Sequence, residues 1–395
     1  MKITKLIEKL GSLEPDGQPF FSIYINAEPG QNGRDTYPTW LKTQLSDEEQ
    51  KYKDDEGQLA RFNEVKARIN SFVESEADAA ANGIAIFARL GEGEFFEVVQ
   101  LDVPFPESSF HSGERPHIFP LARAVYENPR FAVLWADTNK ADIYVFGGET
   151  RIRSDVDLDS NVASIENSVT SGTSAGGWSQ QRYQRRRENF HMQHAKEVIA
   201  ELEELMKKVE VDHLVICGDE ETILPVFKPQ LSKPLEEKLI GTVSASQYES
   251  PEELREKALE VINIETATSQ QKKIEQLNDG AKSSAKMGTL GVEDTLAALA
   301  NGQVQELVIA SNIDSIDYSK KKVKKILKEY EPGDDTAPAK ALSAIGDAGA
   351  IADQLIIRAI NTGARITFVT DESTLANDGG VGAILRFSTN AQSTG

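Results

Sequence analysis

The feature that most restricts what this chain can fold into is an alternation of short apolar runs with amphipathic segments through its middle. Residues 211–217 are an apolar run of strand length and a helical stretch follows them. Residues 239–245 form a second strand, and a further helix begins at Pro251. Strand and helix in turn imply an α/β layer fold with partly parallel strands. Ahead of this lie two more strands, 131–136 and 141–146. Asp137-Thr138-Asn139-Lys140 joins them, which is a hairpin signal. Between the hairpin and residue 211, Ala195, Val198, Ile199, Leu202, Leu205, Met206 and Val209 fall on one face of a helix.

The flanks follow the same layer logic. A chain of 395 residues is too long for one ordinary core. The patterning predicts three domains, each a sheet packed with helices: 1–127, 128–269 and 270–395. The middle and C-terminal ones are expected to be α/β/α layers. In the first, residues 20–25, 83–88 and 95–103 read as strands and residues 28–38 as a loop. Leu59, Phe62, Val65, Ile69 and Phe72 recur at helical spacing. His111 and His117 lie in a Pro-rich connection, 104–120, and read as loop histidines without a ligand partner at metal spacing. In the third, residues 291–300, 318–330 and 347–362 read as helices, and 307–310, 365–370 and 383–387 as strands.

Charge then narrows the function. The net charge of −20 and a pI near 4.8 argue against nonspecific coating of nucleic acid, so any RNA contact has to come from a concentrated patch. One such patch stands out. From Gly176 to Lys196 the chain carries Arg182, Arg185, Arg186, Arg187 and Lys196 against Glu188. A lead-in rich in Ser, Thr and Gly runs into it, so Gly176 and Gly177 form a loop tip backed by arginines. Glycine lets backbone approach closely, and arginine grips phosphate bidentately. A plain loop ahead of a solvated basic helix fits the same residues. Lys320-Lys321-Lys322-Val323-Lys324-Lys325 is a second basic run, readable as a solvated helix face or as an rRNA or partner contact.

Other chemistries have little support in the residues. Cys217 sits in an apolar run and reads as a core residue, so no disulfide framework is expected. No metal and no cofactor are expected. His191 and His194 share a helix face without a third ligand, and Gly147-Gly148 and Gly346-x-x-Gly349 lack the spacing of nucleotide loops. Asp137 and Asp142 flank the hairpin, where acids more often form turns than metal sites. The N-terminus reads as neither a signal nor a transit peptide, and no apolar run reaches membrane length, so a cytoplasmic protein is expected.

Three stretches together carry a family resemblance. Gly291-Val292-Glu293-Asp294-Thr295-Leu296, then Gly302 and Leu307-Val308-Ile309, opens the third region. Arg365 to Asp371 and Gly379-Gly380-Val381-Gly382-Ala383 close it. The middle region has Gly176-Gly177-x-Ser179-x-x-Arg182-Tyr183-x-Arg185. In these the chain resembles the archaeal- and eukaryotic-type class-one peptide chain release factors and their Pelota cousins, and most of all a bacterial release-factor-like branch.

The resemblance implies a ribosome-associated factor that frees the nascent peptide from peptidyl-tRNA by ester hydrolysis. Its partners would be the ribosome, tRNA and rRNA, with a translational GTPase docking on the third region. The family's glutamine follows its Gly pair directly. Here Trp178 holds that place, and the resemblance to a Gly-Gly-x-x-Gln form makes Gln180 the working residue beside Gly176 and Gly177. Trp178, Arg182, Arg185, Arg186 and Arg187 would then bind RNA. The first region lacks the family's Asn-Ile-Lys-Ser stretch, so no stop-codon reading is expected. The resemblance leaves open a second role, a non-catalytic ribosome- or RNA-binding factor of the Pelota type.

Overall fold

A computed structural model describes residues 3–29, 37–91, 95–137, 140–147, 161–166, 180–209, 211–246, 248–330, 347–370, 375 and 378–388. Three sheets organise them. They are distributed over two compact units: residues 1–128 with 269–395, and residues 129–148 with 154–268.

The N-terminal sheet of the first unit is antiparallel throughout. It holds β1 (Phe20–Asn26), β2 (Gly83–Arg89), β3 (Phe96–Leu101) and β4 (Ser109–Gly113) in the order β3-β2-β1-β4. The sequence Phe-Phe-Ser-Ile-Tyr-Ile makes β1 apolar on both faces, and the two-residue period divides it between two cores. Phe21, Ile23 and Ile25 pack with Leu41 and Leu45 of α2 (Tyr37–Glu49) and with Phe62, Ile69 and Phe72 of α3 (Glu56–Ser75). Asp55 caps α3 by accepting from Gln58 N at 3.0 Å. Phe20 and Tyr24 face the other way, into a core with Leu6 and Leu10 of α1 (Ile3–Gly11) and Phe119 and Leu121 of α4 (Phe119–Glu127).

That second core is also the core of the C-terminal sheet. β10 (Gly288–Leu290), β11 (Val304–Ala310), β12 (Arg365–Val369) and β13 (Val381–Leu385) run in the order β10-β13-β11-β12, with β11 and β12 parallel and the other pairs antiparallel. Leu307 and Ile309 of β11 enter the shared core. So do Leu296 of α9 (Val292–Ala300), Val323 and Leu327 of α10 (Lys320–Tyr330), and Leu355 and Ile356 of α11 (Asp347–Asn361). The opposite face, Val308, Val369 and Ile384, covers Ile274 and Leu277 of α8 (Pro251–Lys282). Two consecutive glycines, Gly379 and Gly380, turn the chain into β13 with φ of 68° and 69°; a Cβ on either would meet a backbone oxygen at 2.5 Å.

One polar cluster ties the N-terminal half of this core to the C-terminal half. Asp353 of α11 is buried, and its Oδ1 accepts from the backbone N–H groups of Ile118 and Phe119 at 2.9 and 2.8 Å, at the start of α4. Its Oδ2 lies 2.7 Å from Nδ1 of buried His117. The His117 N–H donates to Ser22 Oγ, and the Tyr24 hydroxyl donates to the His117 carbonyl. The expectation of two loop histidines is therefore corrected. His111 belongs to β4, its ring centroid is 4.2 Å from that of His117, and His117 is a core residue.

The second unit holds a five-stranded sheet, β7-β6-β5-β8-β9: β5 (Phe131–Ala136), β6 (Lys140–Phe146), β7 (Asn161–Glu166), β8 (His213–Gly218) and β9 (Leu239–Ser244). β5, β8 and β9 are parallel neighbours, while β6 and β7 are antiparallel additions. Period-two alternation again sorts the side chains. Ala132, Leu134, Leu214 and Ile216 pack under α5 (Gln180–Lys208) through Ala195, Val198, Ile199 and Leu202. Phe131, Val133, Trp135, Val215 and Cys217 pack against Leu254, Ala258 and Ile262 in the first half of α8. Mixed α/β sheets covered by helices are thus what the alternation predicts.

Candidate functional site

The tip residues Gly176, Gly177 and Trp178 lie outside the described residues, as does Ser179. The structure takes up the candidate stretch at Gln180, which is the first residue of α5. Arg182, Arg185, Arg186 and Arg187 therefore sit in the first two turns of a 29-residue helix, about 43 Å long at 1.5 Å per residue. Among the described side chains, the buried positions on α5 run from His194 to Leu205. Between 189 and 193 the described side chains of Asn189, His191, Met192 and Gln193 are exposed or half-buried. In sequence the arginines precede His194, the first buried position among the described side chains of α5.

Helical phase adds a second regularity. At about 100° per residue, backbone positions 182, 185 and 186 fall on one side of α5. Positions 180, 184 and 187 fall on the line that continues to Ala195, Val198 and Leu202. The first turn holds no acid, although the positive end of the helix dipole favours acids and disfavours arginines there. An α-helix N-terminus in general leaves N–H groups without intrahelical partners and favours anions, and four arginines fall within the first two turns of this one.

The platform beneath α5 contains histidines and acids, and they are occupied structurally. His194 is buried, edge-on to Phe227 at 6.2 Å, and burial lowers its pKa. Asp137 closes the β5–β6 hairpin by accepting from Lys140 N at 2.6 Å, and buried Asp142 pairs with Lys140 Nζ at 3.2 Å. Asp137 takes the turn-forming role expected of it, whereas Asp142 is a buried residue within β6. Among the described residues no three His, Cys, Asp or Glu side chains are grouped to hold a metal ion. Burial pushes the Cys217 thiol up to about 12, which leaves it a protonated core residue and no nucleophile. No described helix is long and apolar enough to cross a membrane.

The structure also brings together residues that no sequence spacing links. Asp353 reaches His117 across 236 residues. Buried Glu306 of β11 accepts from Lys273 Nζ at 2.7 Å and Thr367 Oγ1 at 2.7 Å, with Arg365 at 3.2 Å. Both acids are saturated and enclosed, so they hold the unit together rather than face a substrate.

Comparison with known proteins accounts for most of the chain. Residues 116–263 match the model of bacterial archaeo-eukaryotic release factor family 10. Residues 267–389 match that of eRF1 domain 3. The chain is 27% identical over 203 residues to eukaryotic peptide chain release factor subunit 1 of Saccharomyces cerevisiae, covering 46% of each protein. It therefore spans about half the length of the curated relative it matches. Among solved structures, an archaeal translation termination factor, aRF1, aligns with 16% identity and a TM-score of 0.27 over 98% of this chain and 96% of its own. Pelota of Archaeoglobus fulgidus aligns with 12% identity and a TM-score of 0.31 over 77% and 80%. The two adjoining matches place residues 116–263 and 267–389 in the archaeal- and eukaryotic-type release-factor family.

Proposed function

We propose that this protein is a ribosome-associated, release-factor-like protein that frees the nascent peptide from peptidyl-tRNA without reading a stop codon. The observation that carries this reading is local. Within the matched segment 116–263, Gly176-Gly177-Trp178-Ser179-Gln180 leads straight into α5, whose first two turns hold four arginines and, in the first turn, no acid. On this reading the glycines carry the backbone into a crowded reaction centre. Arg182, Arg185, Arg186 and Arg187 hold phosphates of tRNA or rRNA, and Trp178 stacks on a base. Gln180 has no useful pKa, so it is no general base. Its amide orients the attacking water and donates to the developing oxyanion, and the N–H groups of the same first turn add to that field.

The N-terminal region fits the same reading, since residues 1–115 lie outside both family matches and lack the Asn-Ile-Lys-Ser stretch. The third region, with its match to eRF1 domain 3, is where we place a translational GTPase partner. Trp178, standing where the family has its glutamine, favours one other reading, a ribosome-binding factor without release activity.

The deciding measurement is peptidyl-tRNA turnover on stalled ribosomes, and on stop-codon ribosomes in parallel. Gln180→Ala is expected to slow release by about 10²–10³, the usual cost of removing one oxyanion donor. Equal release by wild type and variant removes Gln180 from the chemistry. Ribosome co-sedimentation without release by the wild type selects the non-catalytic reading.

A further inference from the structure

α10 carries a feature that neither the family match nor the release chemistry uses. Lys320, Lys321, Lys322, Lys324 and Lys325 are all exposed. Val323 and Leu327 are buried in the shared core and Ile326 is partly buried, so one side of the helix is anchored, and over positions 320–325 the exposed residues are all lysine. The N-terminus is held as well. Ser319 N donates to Glu293 Oε1 at 2.9 Å, and Val323 N to Ser319 O at 3.0 Å. Lys321, Lys322, Lys324 and Lys325 make no ion pair among the described residues.

This face is unfavourable for its own helix. Its lysines repel one another at spacings of three and four residues. They also crowd a first turn that contains no acid, where the dipole disfavours cations. In a chain of net charge −20, four lysines within positions 321–325 that make no ion pair among the described residues form a local reversal of sign. An anionic partner relieves both conflicts.

We propose that the lysine face of α10 is a docking surface for the phosphate backbone of structured RNA, a second RNA contact separate from the one proposed for α5. RNA is favoured over an acidic protein by what the face lacks. Protein interfaces are built around aromatic, methionine and arginine anchors and are depleted in lysine. None of the four exposed large hydrophobic side chains among the described residues, Met192, Tyr248, Ile264 and Phe387, lies on α10. Lysines act as point charges that track a phosphate backbone without reading bases. The inference rests on this face and is independent of peptide release.

The test is equilibrium binding of the full chain to a short labelled RNA duplex and, in a second arm, to polyglutamate, across about 50–200 mM salt. The combined variant K321Q/K322Q/K324Q/K325Q is expected to bind the duplex at least about tenfold more weakly. Its log–log salt slope should be shallower by about three units, at roughly 0.7–0.9 per phosphate contact. The matching Lys→Arg variant keeps the charge and is expected to keep the wild-type slope. An unchanged affinity and slope in the Gln variant overturns the proposal. So does an equal loss in the Arg variant, or a loss confined to polyglutamate, which would make the occupant an acidic protein. Peptide release need not change in any of these variants, so failure here is distinct from failure of Gln180.

Discussion

The two compact units bury their sheets in different ways. In the first, the N-terminal and C-terminal sheets meet in one core that Phe20, Tyr24, Leu296 and Leu355 share, and Asp353 stitches the halves together. In the second, one sheet has a separate core on each face, supplied by α5 and the first half of α8. Adjacency along the chain is therefore a poor guide to which parts stand or fall together. Residues 1–128 are energetically tied to residues more than two hundred positions away, across the whole of the second unit.

The sharpest way to break this comparison is Asp353→Ala. The substitution removes the acceptor for two backbone N–H groups and the partner of His117, leaving buried polar groups unsatisfied. A loss of about 3–5 kcal/mol is expected in denaturant unfolding. Hydrogen exchange should speed up in β1 and β11 together, while β5 and β8 keep their protection. Loosening of β11 with β1 untouched would show that the N- and C-terminal halves are separable after all.

Leu202→Ala is the counterpart in the second unit. Leu202 is fully buried between α5 and the sheet. Truncation leaves a cavity and is expected to cost about 3 kcal/mol. The loss should appear in β5 and β8 and leave β1 and β11 as they were. Because the arginine-bearing turns of α5 precede this contact, the variant also measures whether the core positions them: RNA binding should weaken as α5 loosens.

The contrast explains what the sequence reveals and what it hides. The second unit is legible because its cores are local and periodic. The stripe from Ala195 to Val209 and the alternation in β5 and β8 each fit inside a short window. The elements that escape are those whose burial comes from afar. β4 is Ser-Phe-His-Ser-Gly, too polar and short to read as a strand, and it forms because β1 offers it an edge. α4 contains Pro120, which reads as a breaker but is tolerated in a first helical turn. α2 and β10 go unread for similar reasons. No spacing rule links His117 to Asp353, so a structural histidine looks like one in a loop. At the candidate site the reverse holds. Glycines and arginines are read easily as residue types, and the structure adds that Gln180 opens a helix. Gly176, Gly177 and Trp178 stay outside the described residues.

The smallest expected effect is a pH dependence that separates the units. His111 is half-buried, and burial, with His117 beside it, lowers its pKa from 6.5 to about 4. The folded state thus holds this ring neutral, while the unfolded state takes up a proton below about 6.5. Its contribution is fully present above that pH and is lost as pH falls towards 4, because the unfolded chain then binds more protons. The shift corresponds to at most about 3 kcal/mol, and solvent access to the ring makes roughly 1–2 kcal/mol the expected loss. Carboxylates titrate in the same window, so the readout is the difference between wild type and His111→Gln, followed by unfolding at several pH values. The variant should flatten the acid limb for β1 and β11. It should leave the limb of the second unit alone, where burial lowers His194 and His213 by the same mechanism. If both units lose their acid sensitivity together, the units are coupled more tightly than their separate cores imply.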